Sequence, residues 1–326
     1  MRIDLDTEVE LDQEATRIRT GTTGAVTVII PSYQGGVDLL QCLQSLEAST
    51  YGKLQLLVVD NASNDGSVEA AHRQFESVEF VRNTTNVGFG AACNQGIRQA
   101  MERGDEFVLL INQDTLVAPD LIEKLVACAD RYPRAGVIGA KTLSSQPMPD
   151  GSTRLLYAGA WKRILPLWQS IPGIGKADQG LVTQPIQVDY VWGHGMLLRT
   201  AALREVGLFD PGFFMYYEDM DLCLRMQEAG WQIWCDPQSL MWHDVEDGAR
   251  AQKSDRWRWN LKVESARHFH RKRYALLTAE LLLFATIVRE AAALAWDGHF
   301  QALRHLCGAW CGCTWGQASP HAYRPS

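Results

Sequence analysis

The chain has 326 residues, of which 46% are hydrophobic and 21% are charged. These values are typical of globular proteins and exclude a disordered or fibrous chain. The formal net charge of −7 argues against a protein that binds nucleic acid through its phosphates. Eight scattered cysteines and an acidic, polar first segment, residues 1–24, predict a cytoplasmic protein with reduced thiols and no secretory leader.

Short apolar runs alternate with helical patterns over residues 26–140. Strands are predicted at Val26–Ile30, Leu54–Val59, Val78–Arg82, Phe107–Ile111 and Val137–Ala140. Helices are predicted at Val37–Ser49, Ser67–Phe75, Gly88–Met101 and Pro119–Arg131. This alternation predicts an α/β fold, in which a mostly parallel sheet carries helices on both faces.

The second half of the chain has a different pattern. Residues 143–185 show no clear period and are predicted as long loops beside a site. Further strands are predicted at Val188–Trp192, Met196–Arg199 and Trp231–Cys235, and helices at Thr200–Val206, Asp219–Ala229 and from Asp255 to about Arg304. The predicted organisation is a polar leader (1–24), an α/β domain (25–250) and a C-terminal helical extension (251–326).

The most apolar stretch, Tyr274–Val288, is too short to cross a bilayer, which requires about 18 to 20 apolar residues. No spanning helix is therefore predicted, and we expect a helix that lies on a membrane or packs on the domain. A basic cluster precedes this stretch. We interpret it as a solvated helix face, with contact to anionic lipid headgroups as the alternative. Its members are Arg267, Arg271, Lys272 and Arg273.

Three polar clusters follow predicted strands directly: Pro31-Ser32-Tyr33, Asp60-Asn61-Ala62-Ser63 and Asn112-Gln113-Asp114. In parallel α/β sheets, ligands bind outside the carboxyl ends of the strands, so the three clusters together predict a site. A carboxylate such as that of Asp114 can hold a divalent cation against a diphosphate. Taken singly, each cluster could be chance, and an Asp in a turn is more often a structural residue that forms the turn or caps a helix.

Two further segments have residue types suited to a site. The turn Asn86–Gly90, with Asn94 behind it, allows a backbone to approach a phosphate or sugar closely, although a simple tight turn is the alternative. Glu218, Asp219 and Asp221 follow a run of aromatic residues. A carboxylate near apolar groups can act as a general base, whereas helix capping and a pair between Asp221 and Arg225 are the structural alternatives.

Two histidines also lie near predicted strand ends. His243 follows Trp242, and His194 lies between two glycines. Histidine is a common metal ligand, but a lone histidine is more often structural. The sequence leaves both interpretations open.

In this order and spacing, the motifs resemble those of the family 2 glycosyltransferases of the GT-A fold, in particular the bacterial rhamnosyltransferase-like branch. The resemblance covers about residues 25–245. It is carried by Val28–Tyr33, Val58–Ser63, Asn86–Gly90 with Asn94, Asn112–Asp114 and Phe213–Arg225.

The resemblance implies a role for each matching residue. A nucleotide-diphosphate sugar would bind against Pro31, Ser32, Tyr33, Asp60, Asn86, Gly88, Asn94 and Asn112. Asp114 and His243 would hold Mg²⁺ or Mn²⁺, and Asp219 would be the catalytic base, with Glu218 beside it in the acceptor site. Asn112 replaces the first Asp of the family's D-x-D motif, and its amide oxygen can still bind a hard cation.

The implied reaction is a single displacement that inverts the anomeric carbon. By resemblance, dTDP-rhamnose is the first choice of donor, while galactofuranose, glucose and N-acetylglucosamine transfer stay open. The implied acceptor is a growing glycan, commonly lipid-linked at the cytoplasmic membrane face. The C-terminal helices are then expected to mediate peripheral membrane contact or homodimer formation.

The sequence argues against two other classes of function. A nucleotidyltransferase should have a basic, glycine-rich loop after the first strand, but Pro31–Gly36 contains no Lys or Arg. A non-catalytic sugar-binding module could dispense with the acidic pair Glu218 and Asp219, which this chain retains.

Overall fold

The computed structural model describes residues 24–163, 165–170, 173–180, 182–243, 251–296 and 299–311. The predicted polar leader lies outside the described residues except for Gly24. The strands are β1 Val26–Ser32, β2 Leu54–Asp60, β3 Val78–Arg82, β4 Phe107–Ile111, β5 Thr115–Val117, β6 Ala135–Pro147, β7 Thr153–Tyr157, β8 Trp161–Arg163, β9 Leu165–Ser170, β10 Ile186–Gln187, β11 Gly195–Arg199 and β12 Gln232–His243. The helices are α1 Gly36–Glu47, α2 Ser67–Gln74, α3 Phe89–Arg103, α4 Leu121–Arg131, α5 Thr200–Val206, α6 Glu218–Glu228, α7 Ala251–Arg273, α8 Leu276–Trp296 and α9 Phe300–Cys311.

The first four strands form the parallel sheet that the sequence predicts, in the order β3-β2-β1-β4. Val28, Ile29 and Ile30 are fully buried, as expected for a strand covered by helices on both faces. Beyond β4 the sheet becomes mixed, because β11 runs antiparallel between β4 and β6. The predicted α/β fold is confirmed.

The prediction of long loops over residues 143–185 is wrong where strands occur, whereas residues 173–180 and 182–185 contain no strand or helix. β6 continues to Pro147 and pairs with β7, and β8 and β9 form a separate hairpin. β7, β8 and β9 are short, and the pairs β6–β7 and β8–β9 both contain register shifts, so no run of alternating residues marks these three strands in the sequence.

Two strand predictions in the second half are corrected by the structure. The predicted strand Val188–Trp192 is replaced by the two-residue β10, followed by an isolated bridge between Tyr190 and Ala160. The predicted strand Trp231–Cys235 is shorter than β12, which continues to His243 after a register shift between Asp236 and Leu240. This continuation carries His243 to the edge of the sheet where the polar clusters lie.

The C-terminal helices pack on the α/β domain. Phe269 of α7 is fully buried in the same core as β11 and β12. Lys272 Nζ lies 3.0 Å from Asp221 Oδ2, and an Arg273 nitrogen lies 3.3 Å from Asp221 Oδ1. Arg225 Nε donates to the same carboxylate at 2.9 Å. Since Asp221 is completely buried, these cations compensate a charge that would otherwise be very unfavourable.

This arrangement changes the interpretation of the basic cluster. Lys272 also binds Asp210 at 2.6 Å, and Arg273 binds Glu228 at 2.7 Å, so both cations are directed into the protein instead of towards lipid headgroups. Arg271 pairs with Glu280 of α8. In the part of the chain that the structure describes, no helix is both long enough and apolar enough to cross a bilayer.

Candidate functional site

The carboxyl ends of β1 and β4 are joined by the side chain of Gln113. Its Oε1 accepts hydrogen bonds from Ser32 Oγ at 2.8 Å and from the Tyr33 backbone N–H at 2.9 Å. Its Nε2 donates to the Tyr33 carbonyl at 3.1 Å. Pro31 precedes this junction within β1, and Tyr33 is 44% exposed. The structure thus brings two of the predicted clusters together through Gln113, a cluster member to which the sequence assigns no individual role.

The end of β2 is connected in a similar way to the turn before α3. Asp60 lies directly opposite Ser32 in the parallel register and accepts a hydrogen bond from Ser63 N–H at 2.9 Å. Asn61 Nδ2 donates to the Gly88 carbonyl at 3.3 Å. Asn86 Oδ1 accepts from the Gly88 N–H at 2.9 Å, which closes the turn. Asp60, Asn86 and Gly88 therefore share one edge of the sheet with Ser32.

Gly88 occupies a position that excludes other residues. Its φ is +88°, and a Cβ atom there would lie 2.4 Å from the carbonyl oxygen of Phe214. Phe89 N–H donates to the same oxygen at 2.9 Å. The turn after β3 is therefore fixed against the segment that leads into α6.

Asn94 does not join this group. Its Nδ2 donates to the Phe209 carbonyl at 2.8 Å, and its Oδ1 accepts from the Phe209 N–H at 3.0 Å. The residue is 4% exposed. Both functional atoms of the amide attach residue 209 to α3, so the structure shows a structural contact for Asn94, and its role in donor binding stays a prediction.

Asp114 and His243 meet at the next strand ends. Antiparallel pairing of β5 with β12 places His243 opposite Thr115, and the Asp114 Oδ1 to His243 Nε2 distance is 3.2 Å. Asn112 Nδ2 lies 3.3 Å from the same nitrogen. Burial acts to raise the pKa of Asp114, but the hydrogen bond and charge of His243 outweigh it, so this pKa is lowered.

These two side chains fit a single divalent cation. Ligands at about 2.1 Å from an octahedral ion are separated by about 3 Å at neighbouring positions, close to the observed separation of Asp114 from His243. Within the described residues, no cluster of three or more His, Cys, Asp or Glu ligands is present. A cation held here would therefore take its other ligands from substrate oxygens and water, as Mg²⁺ commonly does.

His194 supports His243 from behind. The two ring centres are 4.9 Å apart, and His194 Nε2 lies 3.0 Å from Thr142 Oγ1. Burial, assisted by the neighbouring His243, lowers the pKa of His194 to about 3, so the ring is neutral at physiological pH. The sequence left this histidine ambiguous because only the tertiary structure places it beside His243.

The turn that contains His194 also contacts Asp219. Gly193 N–H donates to Asp219 Oδ2 at 3.2 Å, while the Met220 N–H donates to Oδ1 at 2.7 Å at the start of α6. A Cβ atom on Gly193 would lie 2.9 Å from Phe89. Asp219 remains partly exposed. One short turn therefore contacts both Asp219, through the Gly193 N–H, and His243, through the ring of His194.

Glu218 and Asp219 form an electrostatically strained pair. Burial raises the pKa of both carboxyls, and the charge of Asp219 raises the pKa of Glu218 further. Glu218 Oε2 is buried without a hydrogen-bond partner in the described part of the chain. Burial next to a like charge is a common feature of acid–base sites.

The backbone is also strained at this edge of the sheet. Among the described residues, non-glycine residues with positive φ occur in the loop after β1, in the loop after β2 and at two consecutive positions before α6. They are Gln34, Ala62, Tyr216 and Tyr217, with φ of +54°, +66°, +73° and +68°. Such conformations are unfavourable for bulky side chains and are concentrated at functional sites. No local sequence signal marks the two tyrosines.

The model of "Glycosyl transferase family 2" matches residues 27–207, and that of "Glycosyl transferase family group 2" matches residues 174–316. The first match spans more than half of the chain and contains most of the strand-end clusters described above.

A curated relative is the N-acetylglucosaminyl-diphospho-decaprenol L-rhamnosyltransferase of Mycobacterium tuberculosis. It is 31% identical over 226 residues, which are 64% of this chain and 72% of the relative. Among solved structures, the mannosyltransferase PcManGT from Pyrobaculum calidifontis in complex with GDP-Man and Mn²⁺ is 18% identical with a TM-score of 0.55, covering 96% of this chain and 84% of that one. GalNAc-T7 with UDP, GalNAc and Mn²⁺ is 17% identical with a TM-score of 0.56, covering 69% and 44%. At these identities the two structures show a shared fold.

Proposed function

Since this chain belongs to glycosyl transferase family 2, and is therefore a glycosyltransferase that uses a nucleotide sugar, we propose that it is an inverting enzyme with Asp219 as its general base. One observation carries the proposal. The Gly193–His194 turn binds Asp219 through the Gly193 N–H, and its imidazole lies in tilted ring contact with His243 at 4.9 Å, so a base and a cation-binding pair adjoin the same short segment.

For the donor, we assign the strand-end residues to the nucleotide. Ser32 and Tyr33 are held by Gln113, and Asp60 lies opposite Ser32 at the end of β2. The backbone of Asn86–Gly88 forms the border of this surface, with Asn112 on its other side. Hydrogen-bond groups that are already ordered lose little conformational entropy when the donor binds.

For the cation, Asp114 and His243 are the protein ligands that would hold Mg²⁺ or Mn²⁺, with Asn112 adjacent. A bound divalent cation would offset the negative charge that grows on the departing diphosphate. The support for this assignment is the donor set itself, a carboxylate oxygen and an imidazole nitrogen 3.2 Å apart.

In the transfer step, Asp219 accepts the proton of an acceptor hydroxyl while that oxygen attacks the anomeric carbon. The new C–O bond forms as the bond from the anomeric carbon to the diphosphate oxygen breaks, and the nucleoside diphosphate departs with that bond's electron pair. Because one displacement occurs from the face opposite the leaving group, the configuration is inverted. The burial that raises the pKa of Asp219 makes it a stronger base than an ordinary aspartate.

For the substrates, we propose rhamnose transfer from a dTDP donor to a hydroxyl of a lipid-linked glycan at the cytoplasmic face of a membrane. The support is the mycobacterial relative, whose name specifies rhamnose and a decaprenyl-diphosphate-linked acceptor. Galactofuranose, glucose and N-acetylglucosamine are the alternative sugars.

The test is a panel of nucleotide sugars incubated with the full chain and a polyprenyl-diphosphate-linked sugar, with Mg²⁺, Mn²⁺ or a chelator. We expect one donor to be consumed in the presence of metal. Asp219→Asn should reduce the rate by about 10²–10⁴-fold while donor binding is retained, because it removes only the base. Asp114→Ala should weaken activation by metal. Asp130→Asn, an exposed carboxylate of α4, is the matched control.

Three results would overturn the proposal. If Asp219→Asn retained wild-type turnover, Asp219 would not be the base. If no nucleotide sugar bound in the presence of metal, the assignment of the strand-end residues to the donor would be wrong. A product with retained anomeric configuration would exclude the single displacement.

A further inference from the structure

One face of α8 exposes a continuous row of apolar side chains. Leu277, Leu281, Phe284 and Val288 are 76%, 62%, 56% and 49% exposed and recur at helical spacing. Beyond Val288 the row continues with the exposed Ala292 and Ala295, and Trp296, which is 91% exposed, borders its end about a quarter turn round the helix. Apart from Thr278, every exposed α8 residue that the structure describes is apolar. We refer to this row, from Leu277 to Trp296, as the outer face of α8.

The outer face is not required for packing within the protein. The opposite face of α8 buries Leu283 and Ile287 against Val263 and Ala266 of α7 and Leu306 of α9. An α8 that only completed this small core would need an apolar row on one side, whereas the helix is apolar on both.

The charged side chains of α8 lie outside the outer face: Glu280 and Arg289 lie at its two borders, and Glu290 lies on the buried side of the helix with Leu283 and Ile287. Glu280 pairs with Arg271 at 2.6 Å, and Glu290 pairs with Lys262 at 3.1 Å and with Arg289. Glu280 and Arg289 are therefore charge-paired at the borders of the outer face, whereas the pair of Glu290 with Lys262 lies beside the small core. The outer face itself therefore carries no ionised group among its described members.

Aromatic residues enlarge the outer face at its end. Phe300 of α9 is 66% exposed, and the Trp310 ring lies 6.1 Å from that of Phe284. From Leu277 to Trp296 the row is about 28 Å long at 1.5 Å per residue. Scattered apolar residues are normal on protein surfaces, but a continuous row of this length marks a contact surface.

The bundle that carries this surface is attached to the segment before the proposed base. Tyr217, which directly precedes Glu218, packs in the same apolar cluster as Val263 and Leu283. Ser265 Oγ of α7 donates to the Met215 carbonyl at 2.7 Å. The position of the α7–α9 bundle and the position of Asp219 are therefore mechanically linked.

We propose that the outer face of α8 inserts into the surface of a lipid bilayer, parallel to the membrane, and so places Asp219 where a lipid-linked acceptor presents its hydroxyl. The inference rests on the proposed function for the nature of the acceptor. A bilayer is favoured over a second copy of the chain by the exposed aromatic rings of Trp296 and Phe300, since such rings are enriched at membrane interfaces. Lys272 and Arg273 are bound by internal carboxylates, so the contact is apolar.

The experiment is flotation of the full chain with vesicles of phosphatidylethanolamine and phosphatidylglycerol (3:1), without donor or acceptor. We expect the wild-type protein to float with the vesicles. The fraction of Leu281→Glu/Phe284→Glu protein that floats should be at least tenfold smaller than that of the wild type. The control is Ile174→Glu/Val182→Glu, which adds the same charges at two exposed apolar residues outside the bundle and should float like wild type. Binding should persist in 0.5 M NaCl, because screening weakens only electrostatic contacts.

Circular dichroism establishes whether each variant folds. If the first variant does not fold, a second variant with a smaller change, Leu277→Gln/Val288→Gln, takes its place in the flotation test. Absence of flotation by wild type, equal flotation of a folded variant, or release by salt would each overturn the proposal. The proposal would also be overturned if light scattering showed that the wild type is a dimer without lipid and that the variant is a monomer, because the outer face would then bind a second copy of the chain. It would be overturned as well if the protein floated only after removal of residues 312–326. Donor binding measured without lipid reports on the proposed function separately.

Discussion

The strand-end side and the carboxylate side of the site are stabilised in opposite ways. At the ends of β1, β2 and β4, Gln113 and Asn61 bind neighbouring backbone groups, so the local hydrogen-bonding capacity is used within the fold. At the start of α6, Glu218 has a buried oxygen without a described partner, and Tyr216 and Tyr217 have positive φ. The contrast suits their proposed roles, because a binding surface benefits from order whereas a base benefits from an environment that disfavours its charge.

After loss of the base itself, the largest expected effect concerns Asp114 and His243, the pair that lies between these two sides. His243→Ala removes one of the two proposed protein ligands, so we expect the Mn²⁺ concentration for half-maximal activity to rise at least about 10-fold, since losing even a side chain that only orients a metal ligand costs about 10–100-fold in affinity. A metal titration of the transfer rate measures this. His72→Gln, at an exposed position of α2, is the control. An unchanged metal requirement in His243→Ala would assign the cation to other residues.

The second effect is the pH dependence of the carboxylate side. Burial raises the pKa of Asp219, and only the ionised form accepts a proton, so the rate should fall as pH drops through this raised value. The fall should approach tenfold per pH unit and begin above the ordinary aspartate pKa of about 3.9. Rates are measured at saturating donor and metal. A rate that stays constant down to pH 4.5 would contradict the raised pKa.

A third prediction separates two residues that the sequence assigns to the same role. Asn94→Ala leaves the Phe209 N–H and carbonyl without partners, so we expect the free energy of unfolding to fall by about 1–3 kcal/mol while the donor KM is unchanged. Asn86→Ala should do the reverse, raising the donor KM with a smaller change in stability. Urea unfolding and donor titration measure both. A raised donor KM in a stable Asn94→Ala protein would return Asn94 to the donor site.

The smallest expected effect tests the strained backbone. Asn tolerates positive φ and Val does not, so Tyr216→Val should be less stable than Tyr216→Asn by about 1 kcal/mol or more. Comparing the two substitutions cancels the loss of the tyrosine ring. Equal stabilities in urea unfolding would show that the positive φ at this position is not maintained in solution.

The predictable parts of the fold are those buried on both faces. Val28–Ile30 and Phe107–Ile111 are continuous apolar runs, and the chain places them as neighbouring parallel strands. β7, β8 and β9 were missed because their short, irregular pairing leaves no periodic pattern. The predicted strand Val188–Trp192 was wrong for a related reason. The strand that pairs with β12 in this region contains only Ile186 and Gln187, which precede the predicted range.

The candidate site divides along the same line. The strand-end clusters were predictable because the carboxyl ends of parallel strands must share one edge of the sheet. The role of Asn94 was not, because Phe209, its partner, is 115 residues away in sequence. The contact of Gln113 with the end of β1 was not predictable either, because no sequence pattern indicates which side chain of a turn points to the neighbouring strand.

By itself, the sequence determined the α/β class, the strand ends at which polar groups collect, and the acidic pair at Glu218 and Asp219, because burial and strand direction follow from local residue types. Only the tertiary structure decided that His243 meets Asp114, that one turn contacts both Asp219 and His243, and that the outer face of α8 is exposed. These relations join segments far apart in the chain, and their geometry depends on how the whole sheet and its helices pack.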